Sequence, residues 1–280
     1  MEIHFKTEMM KNTVLSLLFF VACFKAGAQN TDPLVKAELS FEKACLEKGL
    51  RRGFLDNMDS NAIAFTEKGP VAAKPLWTSF PDFEGVFTWS ASYAEMSISG
   101  DWGYTTGNFE HRSRILQDTV TESGQYTTVW QKTANGEWKY LIDIGNPHPH
   151  SPLKKIAVPV EIEKTISPQS ADHFLPDQEN QFIDAYEKNI RSAYQHFGSR
   201  KYLLNLSGYQ LVTSTDSAIL LIEKNESAFK YSPDGVMISP GMDMAAVYGT
   251  FDQKGIKGNY LRIWRHEKAG WKIALEVIKM

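Results

Sequence analysis

The sequence predicts an α+β protein made of two copies of one small domain, each with helices first and a sheet of antiparallel strands after them. Three observations lead there. The chain has 280 residues, more than the roughly 100 to 200 typical of one domain. Segments of the first half recur, in order, in the second. Within each half, apolar residues at helical spacing give way to alternating strand patterns, the order that sets helices on one face of a sheet.

The repeat carries the most weight. Glu47 to Phe54 (EKGLRRGF) matches Glu187 to Tyr194 (EKNIRSAY), and Thr106-Gly107-Asn108-Phe109 answers Tyr248-Gly249-Thr250-Phe251. Gly124 to Trp130 (GQYTTVW) answers Gly258 to Trp264 (GNYLRIW), and Gly136-Glu137-Trp138-Lys139 answers Gly270-Trp271-Lys272. So long a period describes a domain duplication rather than a solenoid.

Residues 1–28 read as a signal peptide. From Met10, Lys11 precedes an apolar run from Val14 to Cys23, and Ala26-Gly27-Ala28 supplies the small residues of a cleavage site, leaving Gln29 first. The run is far short of the ~20 residues that cross a bilayer, so the expected product is exported, periplasmic or secreted. Cys23 as a lipoprotein anchor is the alternative. Glu2 and Glu8 do not suit a basic leader and make Met9 or Met10 the alternative start.

The first copy spans 32–146. Phe41, Ala44 and Cys45, then Leu50 and Phe54, keep a helical stripe that Gly49 and Gly53 break or bend. Cys45 is the single cysteine left after cleavage, so it has no disulfide partner and reads as a buried, inert thiol. A strand over Phe87 to Met96 would put Trp89, Ala91, Tyr93 and Glu95 on one face. Trp138, Tyr140, Ile142 and Ile144 alternate along a closing strand, entered through a tight turn at Asn135-Gly136. Residues 147–176 begin Pro-His-Pro-His-Ser-Pro and read as an extended linker. In the second copy, 177–280, Phe182, Ala185, Tyr186, Ile190, Ala193 and Tyr194 form a stronger helical stripe. Ala269-Gly270 then turns into the closing strand of Trp271, Ile273, Leu275 and Val277.

Composition narrows the function classes. Apolar residues make up 42%, charged 22% and aromatic 12%, a globular profile rather than a disordered one. A net charge of −3 without a Lys/Arg-rich run argues against a nucleic-acid surface, whose affinity comes from neutralising phosphates. No transmembrane segment is expected.

Ser99 to Gly107 (SGDWGYTTG), Tyr126 to Trp130 (YTTVW) and Gly136 to Asp143 (GEWKYLID) resemble the NTF2-like superfamily, and within it the DUF4440 branch related to SnoaL and ketosteroid isomerase. The resemblance covers most of residues 34 to 146. The second copy is similar more loosely, through its glycine–phenylalanine strand and the hairpin of Trp264 and Trp271. The resemblance implies a cone-shaped domain, a curved antiparallel sheet packed on N-terminal helices with a pocket at the wide end. It also implies dimerisation through the sheet, either as a homodimer or as a pseudo-dimer of the two copies within one chain.

In the isomerase relatives an acid on an early strand moves a proton while a tyrosine and a neutral carboxylic acid stabilise the enolate. Glu67 lies near the place of that base, but the first helix of copy one has no tyrosine for the oxyanion donor. His111 and Asp143 complete the acid–base candidates, His111 for an imidazole pKa near neutrality. Trp89, Tyr93, Glu95, Tyr104, Tyr126 and Trp130 are the ligand-binding candidates, and sheet core is the competing role for each. His148 and His150 sit in the proline-rich stretch without the three or four ligands zinc needs. His266-Glu267 lacks the second histidine of a metalloprotease helix, and no phosphate loop or nucleophile elbow occurs. No metal or cofactor is expected. The function expected is binding of a small, partly apolar ligand. The alternatives are an enzyme of the isomerase, dehydratase or SnoaL-like kind, or an interaction module with filled pockets.

Overall fold

The computed structural model describes residues 32–153, 158–159, 175–224 and 229–280. The segment read as a signal peptide, Cys23 within it, and most of the expected linker lie outside the described residues.

The first half runs α1 (Asp32–Lys48), α2 (Leu50–Asn57), β1 (Met58–Thr66), β2 (Gly69–Ala72), α3 (Ala73–Ser79), β3 (Val86–Met96), β4 (Trp102–Arg112), β5 (Val120–Lys132), β6 (Trp138–Pro147) and β7 (Val158–Pro159). The second runs α4 (Leu175–Lys188), α5 (Ile190–Phe197), β8 (Gly198–Leu206), α6 (Thr215–Glu223), β9 (Lys230–Ile238), β10 (Met244–Gln253), β11 (Ile256–Glu267) and β12 (Gly270–Lys279). The helices-then-strands order read from the sequence is present twice.

One stripe of α1 is buried: Leu34, Glu38, Phe41 and Cys45, spaced four, three and four residues apart. In α4 the buried positions are Glu179, Phe182 and Tyr186. The break expected at Gly49 separates α1 from α2, with Gly49 at φ 84 and ψ 156. In the second half Asn189 makes the same break with its side chain, accepting a 2.8 Å hydrogen bond from the Ser192 N–H as an N-cap.

The strands form two sheets, β2-β1-β6-β5-β4-β3-β7 and β8-β12-β11-β10-β9. They depart from the all-antiparallel expectation in matching places: β1 closes beside β6 in parallel, and β8 beside β12. Because α1 and α2, or α4 and α5, lead into this strand, it lies next to the last one rather than hairpinned to it. A further parallel pair comes from the linker, where Val158–Pro159 lies against Tyr93–Ala94. Pro159 is on the sheet edge, where a missing donor is tolerated. Both hairpin turns form as expected, with Gly136 at φ 84 and Gly270 at φ 92.

The bends are duplicated as well. Register shifts fall between Val129 and Trp130 in β5 and between Ile263 and Trp264 in β11. Such bulges kink a strand and sharpen its twist. Each sheet keeps its helices on one face, giving one core around Phe41, Trp89, Trp130 and Tyr140 and another around Phe182, Tyr194, Tyr231 and Trp264. The opposite faces pack on each other through a third core, with Trp102, Tyr104 and Ile142 meeting Met244, Leu261 and Leu275.

That sheet-to-sheet layer is also pinned by polar groups. Arg265 reaches across to Glu95, at 2.8 Å, and to Glu267 on its own strand, at 2.6 Å; all three are buried. Asn146 donates to the Asn205 main-chain carbonyl at 3.0 Å, and Asn205 to the Gln125 carbonyl at 3.1 Å. Buried donors and acceptors left without partners cost about 1–3 kcal/mol each, so these pairs fix one registration of the two sheets.

Candidate functional site

Between the helices and sheet of the first copy lies a cavity of about 360 Å³. Its inner wall is Phe41 from α1, Trp89 from β3 and Tyr126 from β5; Phe54, Trp77, Phe80, Phe83, Phe87 and Phe109 line the way out. The rings brace one another: Phe54 stacks on Trp77 at 3.9 Å, and Phe41 meets Trp89 edge-on at 5.1 Å. Such a wall favours an apolar or aromatic body.

The polar groups are few and converge. Asp143, on the helix-facing side of β6, lines the cavity and accepts a 2.8 Å hydrogen bond from Thr128. Burial pushes its carboxyl up to about 6, against the pull of the Thr128 hydrogen bond and the Lys279 charge. Lys279 comes from the other copy: β12 ends beside β6, and its ammonium lines the cavity while donating to the Gly145 carbonyl at 2.8 Å. Burial lowers the Lys279 pKa, and Asp143 and Glu122 oppose that shift. Tyr126 is buried, its hydroxyl without a hydrogen bond.

Beneath the inner wall sits Glu38, wholly buried in the apolar stripe of α1. It accepts from the Trp89 indole at 2.6 Å, from the Trp130 indole at 3.2 Å and from the Thr105 hydroxyl. Burial pushes its carboxyl up to about 8, more than these donors pull it down, and Asp143 adds to the rise. Glu42, one turn on, accepts the Trp89 main-chain N–H at 2.9 Å.

The nine residues singled out from the sequence separate by location. Trp89, Tyr126 and Asp143 meet at the cavity. Trp130 lies below it, fully buried and bound to Glu38. Tyr93 and Glu95 do not share a face with Trp89, as strict alternation required, because the β3–β4 register slips between Ala91 and Tyr93 and leaves Ser92 as the extra residue. Glu95 therefore points into the sheet-to-sheet layer, where it takes the Arg265 guanidinium and the Tyr104 hydroxyl, the latter at 2.9 Å. Tyr104 is on that side too, and Tyr93 packs at its edge.

Glu67 is exposed in the β1–β2 turn, and His111 stands outside the cavity wall, stacked on Phe87 at 4.7 Å with Nδ1 on the Thr121 hydroxyl at 2.9 Å. The Pro-His stretch docks on the sheet rather than hanging free: His148 N–H extends the ladder to the Ser123 carbonyl, and His150 Nε2 lies 3.0 Å from Glu110. Among the described residues no cluster of three His, Cys, Asp or Glu side chains has the grouping of a metal site. Nor is any helix among them long and apolar enough to cross a membrane. Cys45 is a buried free thiol, its pKa raised by burial.

Glu38 and Lys279 escaped the sequence reading. A glutamate in an apolar helical stripe is a signal, since a lone buried acid needs partners. Lys279 carries none, because only the packing of the copies brings it to this cavity.

Fold and site together define a class: a two-domain, helix-backed α+β chain with an aromatic cup in its first half. No protein-family model and no curated protein matches the chain. Solved structures similar to part of it include an NTF2-like protein from Cytophaga hutchinsonii, at 18% identity over 37% of this chain and 93% of that one, with a TM-score of 0.32. An NTF-2 like protein from Silicibacter pomeroyi is similar at 16% identity, over 37% and 93%, with a TM-score of 0.32. A DUF3225 family protein from Pectobacterium atrosepticum is similar at 16% identity, over 40% and 92%, with a TM-score of 0.34.

Proposed function

We propose that the chain is an exported tandem protein of the NTF2-like kind, in its DUF4440 branch, whose first copy binds a small, partly apolar molecule in the aromatic cavity. The cavity carries this reading. Its ~360 Å³ falls within the roughly 300–1,000 Å³ of ligand pockets, and it has their makeup of apolar walls with a few converging polar groups. Export rests on the leader pattern that ends at Ala28, and the branch on the Ser99 to Gly107 and Gly136 to Asp143 motifs.

The acid–base set read from the sequence is not assembled in the cavity. General acid–base chemistry needs its partners within hydrogen-bond reach of one substrate. Of Glu67, His111 and Asp143, Asp143 alone lines the cavity.

The test is a thermal-shift screen of the purified protein against lipids, steroids and aromatic metabolites. A ligand at about a hundred times its Kd adds roughly 2.7 kcal/mol to the native state. Trp77→Ala and Phe80→Ala, both on half-buried lining residues, are expected to abolish a hit, and Tyr93→Ala to leave it. A hit that survives both lining variants moves the site elsewhere.

A further inference from the structure

The second copy shows what the cup of the first is shaped to hold. Thr128 pairs across the ladder with Asp143, and Arg262 pairs in the same way with Glu276, so Thr128 and Arg262 are equivalent positions, as the aligned YTTVW and YLRIW segments also require. Both residues stand on the helix-facing side of their strands, between a tyrosine and a tryptophan that belong to the helix-side cores.

Arg262 is fully buried. Its Nε donates to Glu276 at 2.8 Å and its Nη1 to Glu179. The guanidinium carbon lies 4.4 Å from the centre of the Phe182 ring, 4.0 Å from Tyr231 and 4.6 Å from Tyr260. Two carboxylates and three aromatic faces are the general recipe for an organic cation.

Each of these five groups has a counterpart in the first copy. Glu38 on α1 answers Glu179 on α4, each accepting the indole N–H of its core tryptophan, Trp130 or Trp264. Phe41 follows Glu38 by three residues as Phe182 follows Glu179. Asp143 answers Glu276, and Tyr126 answers Tyr260. Trp89, paired with Phe109, answers Tyr231, paired with Phe251. Thr128 stands where the second copy has its cation; Glu38 lies beneath the cavity, held by Trp89, Trp130 and Thr105, and the other four counterparts face the open space. Phe41, Trp89, Tyr126 and Asp143 line the cavity there.

We infer that this cavity is a receptor for an organic cation, a guanidinium or ammonium group on an apolar body, seated where the second copy keeps its own arginine. The inference rests on the cavity being a ligand pocket and names the class of ligand. Local charge agrees with it. Asp143 and Glu122 outnumber Lys279 among the charged lining groups, and the Lys279 ammonium is already engaged by the Gly145 carbonyl.

The experiment is isothermal titration of the purified protein with three probes on one phenethyl body: phenethylguanidinium, its neutral planar analogue phenethylurea, and the anion 3-phenylpropionate. The guanidinium is expected to bind about tenfold or more tighter than the urea, with the propionate weakest. Thr128→Arg should supply the plug from within and abolish guanidinium binding. Should that variant fail to fold, Asp143→Asn decides, weakening the guanidinium about tenfold and leaving the urea unchanged. Urea or propionate binding as tightly as the guanidinium overturns the cation inference and leaves the pocket reading standing, as does an Asp143→Asn variant of unaltered guanidinium affinity. No heat from any of the three at millimolar concentration overturns the inference as well; the pocket reading then falls too unless the wider screen yields a hit that the lining variants abolish.

Discussion

Between helix and sheet, the second copy encloses a guanidinium pinned by Glu179 and Glu276, whereas the first encloses a cavity of about 360 Å³ beside Asp143 and Glu38. The shells match position by position and the contents differ. A buried ion network is not much better, energetically, than an apolar filling of the same volume, but half of one is much worse. The second copy is therefore hard to alter at its centre, and the first, on the proposed reading, is the one that accepts a guest. One chain has both: a filled half, which contributes Lys279, and a half that encloses a cavity.

The comparison is broken most forcefully at Arg262. Arg262→Ala leaves Glu179 and Glu276 buried without their cation, and removing one partner of a buried pair costs about 3–5 kcal/mol. Chemical denaturation followed by tryptophan fluorescence should show that loss. Arg262→Met combined with Glu179→Gln and Glu276→Gln is expected to recover most of it, because no bare charge is left. A loss under about 1 kcal/mol in Arg262→Ala would mean that the plug is not what holds the second core.

The helices-then-strands order of each half and the turn chemistry were legible in the sequence, because helical spacing, strand alternation and Asn-Gly or Ala-Gly turns are local. It did not show which face of β3 carries Tyr93, since the bulge at Ser92 depends on pairing with β4. One useful signal was present and went unread. In the aligned segments a threonine stands against an arginine at a position facing the helices, and a charged residue there demands buried partners. Glu38 and Glu179, each three residues before a core phenylalanine, are those partners. The parallel closure of β1 on β6 and the reach of Lys279 into the other copy are long-range matters that no local pattern encodes.

A smaller effect sharpens the contrast through pH. The Glu38 carboxyl is pushed up from 4.5 to about 8 in the folded protein, so between those values the native state holds a proton that the unfolded chain has released. Stability therefore falls as pH rises through that window, by on the order of a few kcal/mol. Glu38→Gln, which cannot ionise, should flatten this part of the profile in denaturant titrations at pH 5 and pH 8. In the second copy burial also raises the Glu179 pKa, against the pull of the Arg262 charge, so a slope of the same sign holds there. Glu179→Gln differs from Glu38→Gln in also stranding the Arg262 guanidinium, and it should destabilise at both pH values. A Glu179→Gln variant as stable as the parent at both would remove the distinction between an empty and an occupied shell.

The least effect belongs to the helix break, where the two copies reach one geometry by different chemistry. Gly49 sits at φ 84 and ψ 156, a region open in practice to glycine alone, so Gly49→Ala should cost about 1–3 kcal/mol in backbone strain. Asn189 has an extended backbone and pays for the break with its side-chain cap. Asn189→Ala should cost about 1 kcal/mol and Asn189→Gly only a few tenths, since glycine is itself acceptable at an N-cap. Thermal unfolding of the four variants, with Gly49→Asn as the fourth, separates the two devices. If Gly49→Asn is as stable as the parent, the first copy has access to the capped geometry of the second, and its glycine is not needed to open the cup.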